Sequence, residues 1–251
     1  MDNIPIVEIF GPTIQGEGPH VGARCIFVRV KGCSFACKWC DSKFTWNSDP
    51  AKGQDYTPSM LAKHLISLCE RTNCNRIVLT GGNPCLYDFT QVLMRMPFHI
   101  AVDVETQGDL LPMWLGFVNI DTVVFSPKAP SSGMPDTYNK IVEYIKTHPG
   151  HKFAIKIPVF NDEDIEFARK YAKFVHDYKW KRGDSDDRCA IVKMYLSVGN
   201  TDVNTTEAIR DRVLADYESL LNKINENPAD FQDVFILPQL HTLVWGNKQG
   251  V

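Results

Sequence analysis

The sequence predicts an α/β fold, a partial (β/α)6-type barrel, from three observations. Seven short apolar, β-branched runs recur along the chain. Amphipathic stretches with helix-start residues lie between most of them, and glycine-rich or polar segments follow the runs directly. Repeated βα units favour a parallel sheet, because each crossover returns the chain to the same end. The preferred hand of that crossover curls the sheet toward a barrel.

After an N-terminal segment, the first predicted strand is Ile26–Val30; a cysteine-rich segment follows it, and Thr57-Pro58 then opens a helix. Ile77–Thr80 leads into Gly81-Gly82-Asn83-Pro84, Ile100–Val104 into Glu105-Thr106-Gln107-Gly108, and Thr122–Ser126 into Pro127-Lys128. Phe153–Val159 precedes Asn161, which starts a helix over Asp162–Tyr178. Ala190–Val198 runs into Gly199-Asn200, with a further helix start at Asn204, three residues before Glu207. Val234–Leu237 closes the series and precedes Gln239-Leu240-His241-Thr242. Lys179–Asp187, charged and carrying Gly183 and Ser185, reads as a solvated loop. With neither repeat nor linker, residues 1–251 are expected to form one domain. In such folds the chemistry gathers at the carboxyl ends of the strands, where these polar segments fall.

Composition narrows the function. A 44% hydrophobic content over 251 residues can fill a sizeable core. A formal net charge of −3 supplies no general basic field, so nucleic acid is not an expected partner and a small substrate is. The chain has no apolar run of about 18 residues and no signal-like start, which predicts a cytoplasmic protein without a membrane partner. Eight cysteines are many for a reducing compartment, and metal ligation is the leading explanation for a clustered subset.

That subset is Cys33, Cys37 and Cys40, in C-x3-C-x2-C spacing after the first strand. Thiolates are soft ligands suited to iron–sulfur clusters, and a cubane held by three of them keeps one iron free of protein. A structural zinc loop is the alternative, but zinc sites of that kind usually close with four protein ligands, and no second cysteine pair has suitable spacing. Cys69 and Cys74 flank a predicted helix end, and Cys25, Cys85 and Cys189 lie in apolar surroundings, so these read as buried thiols.

The cysteine loop, with Trp39 as the aromatic before its last cysteine, resembles that of the radical S-adenosylmethionine (SAM) superfamily. The resemblance implies a [4Fe–4S] cluster whose free iron chelates SAM, and reductive cleavage to a 5′-deoxyadenosyl radical. A second run, Glu8-Ile9-Phe10-Gly11-Pro12-Thr13-Ile14-Gln15-Gly16-Glu17-Gly18, has backbone freedom for close approach to a ligand, with Gln15 and Glu17 able to read a heterocycle's edge. Combined with Asp41-Ser42, Gly81-Gly82-Asn83-Pro84, Glu105–Gly108, Ser126-Pro127-Lys128, Gln239–Thr242 and Trp245-Gly246-Asn247-Lys248, the chain resembles the 7-carboxy-7-deazaguanine synthase family over nearly its whole length.

That family resemblance implies rearrangement of 6-carboxy-5,6,7,8-tetrahydropterin to 7-carboxy-7-deazaguanine with loss of ammonia, initiated by hydrogen abstraction from C6. Hydrogen is returned afterwards, so SAM acts as a true cofactor, and Mg2+ assists. Position by position, Ile14, Gln15, Gly16, Glu17, Arg29, Thr80, Glu105 and His241 match substrate contacts. Arg29 offers a fork suited to the pterin carboxylate, and Glu105 an acceptor for the guanidine-like edge. Trp39, Cys40, Asp41, Gly82, Asn83, Ser126, Pro127, Lys128, Ser197, Val198, Gly199 and Asn200 match the SAM side, with Asn83 standing where superfamily members frequently carry Glu. Cys33, Cys37 and Cys40 match the cluster ligands, and Ser42 a Mg2+ ligand that is Thr in the family. A flavodoxin- or ferredoxin-type electron donor and a homodimer are implied as well. The alternatives are an activase that places a glycyl radical on a partner enzyme and a non-catalytic metal-binding module.

Overall fold

The computed structural model describes residues 2–47, 53–182, 191–200, 209–246, 248 and 250. Among the described residues nine strands form a single sheet: β1 (Ile4–Ile14), β2 (Arg24–Val30), β3 (Gln54–Tyr56), β4 (Arg76–Gly81), β5 (Ala101–Thr106), β6 (Ile120–Phe125), β7 (Phe153–Val159), β8 (Val192–Val198) and β9 (Val234–Leu237). Their order is β3-β1-β2-β4-β5-β6-β7-β8-β9. From β2 onward through β4 to β9 every pairing is parallel. All seven predicted strands are therefore present, with ends displaced by a residue or two. Ala190 lies outside the described residues.

β1 was not expected, since the Glu8–Gly18 run read as a ligand loop. Residues 8–14 are strand, antiparallel to β2, and only Gln15 onward leaves the sheet. Gly11 and Pro12 are tolerated because β3 covers only Ile4–Ile6, leaving the far half of β1 at an edge. The register also slips between Phe10 and Thr13, where Gly11 has φ 117° and a Cβ would lie 2.7 Å from the Cys25 carbonyl oxygen.

The helices are α1 (Pro58–Thr72), α2 (Thr90–Leu93), α3 (Tyr138–Thr147), α4 (Asp162–Arg182), α5 (Ile209–Glu226) and α6 (Leu240–Trp245). Thr57 caps α1 by accepting from the Met60 amide at 3.3 Å, with Pro58 at the first position, as predicted. Asn161 caps α4 through the Asp164 amide at 3.0 Å. α4 runs on through Arg182, so the loop expected from Lys179 is helical in its first four residues. No glycine or proline interrupts the sequence between Asp162 and Gly183. Residues 183–187, Asn204 and Glu207 lie outside the described residues. Between β4 and β5 the helix is four residues long, and between β5 and β6 only a 3-10 turn (Met113–Gly116) intervenes.

Strand alternation divides the residues of the sheet. Ile26, Val28, Ile77, Leu79, Val102, Val104, Phe125, Ile155, Ile157, Met194 and Leu196 join the helices in the main core. The intervening positions face the other side and include Arg29, Thr80, Asp103, Glu105, Ser126 and Lys156, with a small apolar group of Val124, Ala154 and Tyr195. Segment 15–23 folds against this inner face. Gln15 reaches Glu105 on β5, Glu17 reaches Lys156 on β7, and His20 reaches Thr122 on β6. The segment closes on itself through Gln15 N to Ala23 O (2.9 Å) and Gly22 N to Gln15 O (2.8 Å).

Candidate active site

A cavity of about 310 Å3 opens beside the cysteine loop. It gathers every predicted substrate residue: Ile14, Gln15, Gly16, Glu17, Arg29, Thr80, Glu105 and His241. Cys33, Cys37, Cys40, Trp39, Asp41, Ser42, Gly82, Ser126, Lys128, Gly199 and Asn200 line the same chamber. Residues separated by more than 200 positions thus converge on one site, as the strand ends require.

The cysteine loop is anchored by backbone bonds: Gly32 N to Thr45 O at 2.8 Å, Lys38 N to Ser132 O at 3.0 Å, and Asn83 N to Gly32 O at 2.9 Å. Donors are turned toward the sulfurs. The Phe35 amide (3.4 Å) and Gln107 Nε2 (3.5 Å) donate to Cys33, and Trp46 Nε1 donates to Cys40 at 3.4 Å. Burial pushes the Cys37 thiol up to about 11, against the lowering pull of Lys128 and with Cys40 and Cys33 adding to the rise. Three thiolates lining one chamber repel one another unless cations are bound to them. A single zinc ion with bonds of roughly 2.3 Å would hold its sulfurs about 3.8 Å apart. Among the described residues these three are not a set of ligand atoms within 4.8 Å of one another. A cubane spreads its thiolates over separate irons, and the donor set fits it. Burial raises the thiols of Cys25 and Cys85 to about 12 and that of Cys69 to about 11, as expected of inert buried thiols, and Cys74 is buried too, whereas Cys189 lies outside the described residues.

Gly82 lies against this loop so closely that a Cβ there would be 1.7 Å from the Gly32 carbonyl oxygen. Trp39 stacks on Phe160 with centroids 4.5 Å apart and donates from Nε1 to Ser131 Oγ at 2.8 Å. Lys128 Nζ lies over the Trp39 ring, 5.8 Å from its centroid, and donates to Ser126 Oγ at 3.0 Å.

The opposite wall is a carboxylate centre. Glu105 accepts from Thr80 Oγ1 (2.8 Å), Gln15 Nε2 (3.2 Å) and Lys156 Nζ (3.4 Å). Glu17 accepts from Lys156 Nζ at 2.8 Å and Gln239 Nε2 at 2.9 Å. Burial works to raise the Glu17 carboxyl, but Lys156 first and His241 next overcome it and bring it down to about 2. A Cβ on Gly16 would come within 2.0 Å of His241 Nδ1, so glycine at 16 lets the histidine close over the segment. Arg29 donates from Nε to Glu8 Oε1 at 2.8 Å and from Nη1 to Ser42 Oγ at 3.3 Å, between the rings of Phe10 and Phe44. Ser42 in turn donates to Asp41 Oδ1 at 2.8 Å.

Four predicted SAM-side residues do not line the chamber. Asn83 is wholly buried with both amide groups engaged: Nδ2 donates to Ser34 Oγ and Asp109 Oδ1, and Oδ1 accepts from Thr106 and the Cys85 amide. It braces the cysteine loop from behind. Pro127, Ser197 and Val198 are likewise absent from the lining; of the 197–200 turn only Gly199 and Asn200 reach the cavity. Sequence reasoning missed Lys156, Gln239, Gln107 and Phe160. Lys156 did leave a signal, as the one charged residue in the apolar run Phe153–Val159.

Residues 14–118 match the family described as a 4Fe-4S single cluster domain. The solved structure of QueE from Escherichia coli shares the fold, with a TM-score of 0.58 at 22% identity over 88% of this chain and 91% of that one. A partial α/β barrel whose chamber joins a three-cysteine cluster loop to a tryptophan, lysine and glycine wall defines a radical SAM enzyme with a [4Fe–4S] cluster. The 7-carboxy-7-deazaguanine synthases of Bacillus cereus and Bacillus subtilis are each 37% identical to this chain, the first over 100% of both chains and the second over 99% of this chain and 98% of its own. The chain belongs to the 7-carboxy-7-deazaguanine synthase family.

Proposed function

We propose that this protein converts 6-carboxy-5,6,7,8-tetrahydropterin to 7-carboxy-7-deazaguanine with loss of ammonia. The observation that carries the reading is one cavity bounded by the three cluster cysteines on one side and by Glu17, Glu105 and Arg29 on the other. The chemistry supplied by the bound cluster and SAM is one-electron cleavage of a sulfonium bond, which yields a hydrogen-abstracting carbon radical. The protein's part is placement and exclusion of water. The Glu17 and Glu105 carboxylates accept from the pterin's N–H edge, while Arg29, with five N–H donors, has capacity beyond its bonds to Glu8 and Ser42 for the substrate carboxylate. His241 closes the chamber over Gly16.

Mg2+ prefers oxygen ligands, and the Ser42 hydroxyl beside the Asp41 carboxylate is a donor pair of that kind. Ser42→Ala is expected to raise the Mg2+ concentration needed for half-maximal turnover roughly tenfold while leaving iron content intact. The reading further includes a flavodoxin- or ferredoxin-type electron donor, a homodimer, a cytoplasmic location and one domain over 1–251. Among the described residues no helix is long and apolar enough to cross a membrane.

The test is anaerobic reconstitution with iron and sulfide, then addition of SAM, reductant, Mg2+ and the carboxytetrahydropterin. The expected product is the deazaguanine acid. Cleavage of SAM with unchanged pterin would overturn the substrate while leaving the enzyme class in place.

A further inference from the structure

Lys156 stands at the centre of the carboxylate wall. Alternation along β7 turns it to the inner face, and it is only 8% exposed. Its ammonium bonds Glu17 Oε2 at 2.8 Å and Glu105 Oε1 at 3.4 Å. These two carboxylates come from different elements, one from the inward segment after β1 and one from the end of β5. The other groups whose charge it and Glu17 sense are Asp41, on the cysteine loop, and His241, on α6.

We infer that Lys156 is a specificity-determining residue: by bridging Glu17 and Glu105 it makes both carboxylates acceptors only, so that the chamber takes a heterocycle presenting adjacent N–H donors and rejects one presenting an acceptor there. The inference rests on the pterin reading above and deepens it. One ammonium between two carboxylates leaves a surplus negative charge, which suits the guanidine-type edge of a pterin or a guanine. Without the ammonium, two part-buried carboxylates within reach of the same Nζ would repel each other, and one of them would take up a proton more readily. A protonated carboxyl donates as well as accepts, and the wall would then tolerate either edge.

Two measurements on the reconstituted enzyme test this. Infrared spectra of protein carrying 13C-carboxyl glutamate read protonation directly: at neutral pH Lys156→Met is expected to show a protonated carboxyl band absent from the wild type and from Lys156→Arg. Equilibrium binding of 6-carboxypterin and of 6-carboxylumazine, which has a carbonyl in place of the 2-amino group, reads selectivity. The wild type is expected to prefer the pterin by roughly a hundredfold, since a buried acceptor facing an acceptor stays unpaired. In Lys156→Met that preference collapses to about threefold, and KM rises more than kcat falls; Lys156→Arg retains most of it. A methionine variant with fully ionised glutamates and undiminished preference overturns the assignment. The infrared arm needs no substrate, so failure of pterin turnover would sink the reaction alone.

Discussion

Glu17 shows how a single side chain ties stability to the site. Its carboxyl is pulled from the ordinary 4.5 to about 2, with the opposing cost of burial outweighed by Lys156, His241 and the bond from Gln239. A group whose folded value is depressed stabilises the fold at pH above its unfolded value and loses that contribution as pH falls toward the folded one. The contribution of Glu17 is therefore complete at neutral pH and fades between about 4.5 and 2. Glu17→Gln is expected to flatten the fall in stability over that window, as read by urea denaturation at stepped pH, and to lower stability at neutral pH by about 1–3 kcal/mol through the partly unpaired Lys156. An unchanged acid limb would mean that the ion pair is not formed in solution. The same residues mark where the sequence was legible. Gln15, Glu17 and Glu105 lie in polar segments whose composition advertises them, whereas Lys156 is flanked by Ile155 and Ile157 and reads as part of a core strand until the inner face is known to be polar.

At the scale of elements, the inward segment 15–23 decides the shape of the chamber, and it is held from below as well as above. Above, Gly16 O accepts from the Leu240 amide at 3.0 Å. Below, His20 Nε2 lies 3.1 Å from Thr122 Oγ1 and within ion-pair reach of Asp103 (3.5 Å) and Asp121 (3.6 Å), both of which also pair with Arg76. His20→Ala removes the lower tether without touching the cavity. The expected result is faster amide exchange across 15–23 and a KM raised severalfold with kcat nearly unchanged, the pattern of a lost positioning contact. A fall in kcat with KM unchanged would place His20 in the chemistry instead. This segment was half-legible: its residue types signalled a binding role, but the strand that carries it, β1, was hidden by Gly11 and Pro12. Those residues argue against a strand unless one knows that β3 covers only its first half. The seven parallel strands were readable because each is an apolar run bounded by turn residues. The extension of α4 to Arg182 was not, because charged side chains suit a loop and a solvated last helical turn equally well.

For the whole molecule, the proposed homodimer has a candidate surface. Beside β5 the outer layer holds only the single turn of α2 before the strand and a 3-10 turn after it, and there Met94, Phe98, Met113 and Val118 are 67%, 90%, 92% and 88% exposed. They lie on two adjoining segments joined by the Asn119 amide donating to the Leu93 carbonyl. Single exposed apolar residues are ordinary, but four large ones on two hydrogen-bonded segments are candidates for burial in a protein contact. The proposed homodimer gives that patch an occupant: a second copy would bring an identical apolar surface to it about a twofold axis, which requires a self-complementary face of this composition. Light scattering is expected to give twice the mass of one chain. Phe98→Asp, far from the cysteines, should shift the population toward single chains at micromolar concentration while iron content and far-ultraviolet circular dichroism stay as in the wild type. A wild-type mass of one chain refutes the dimer, and a dimer indifferent to Phe98→Asp and Met113→Asp moves it to another face.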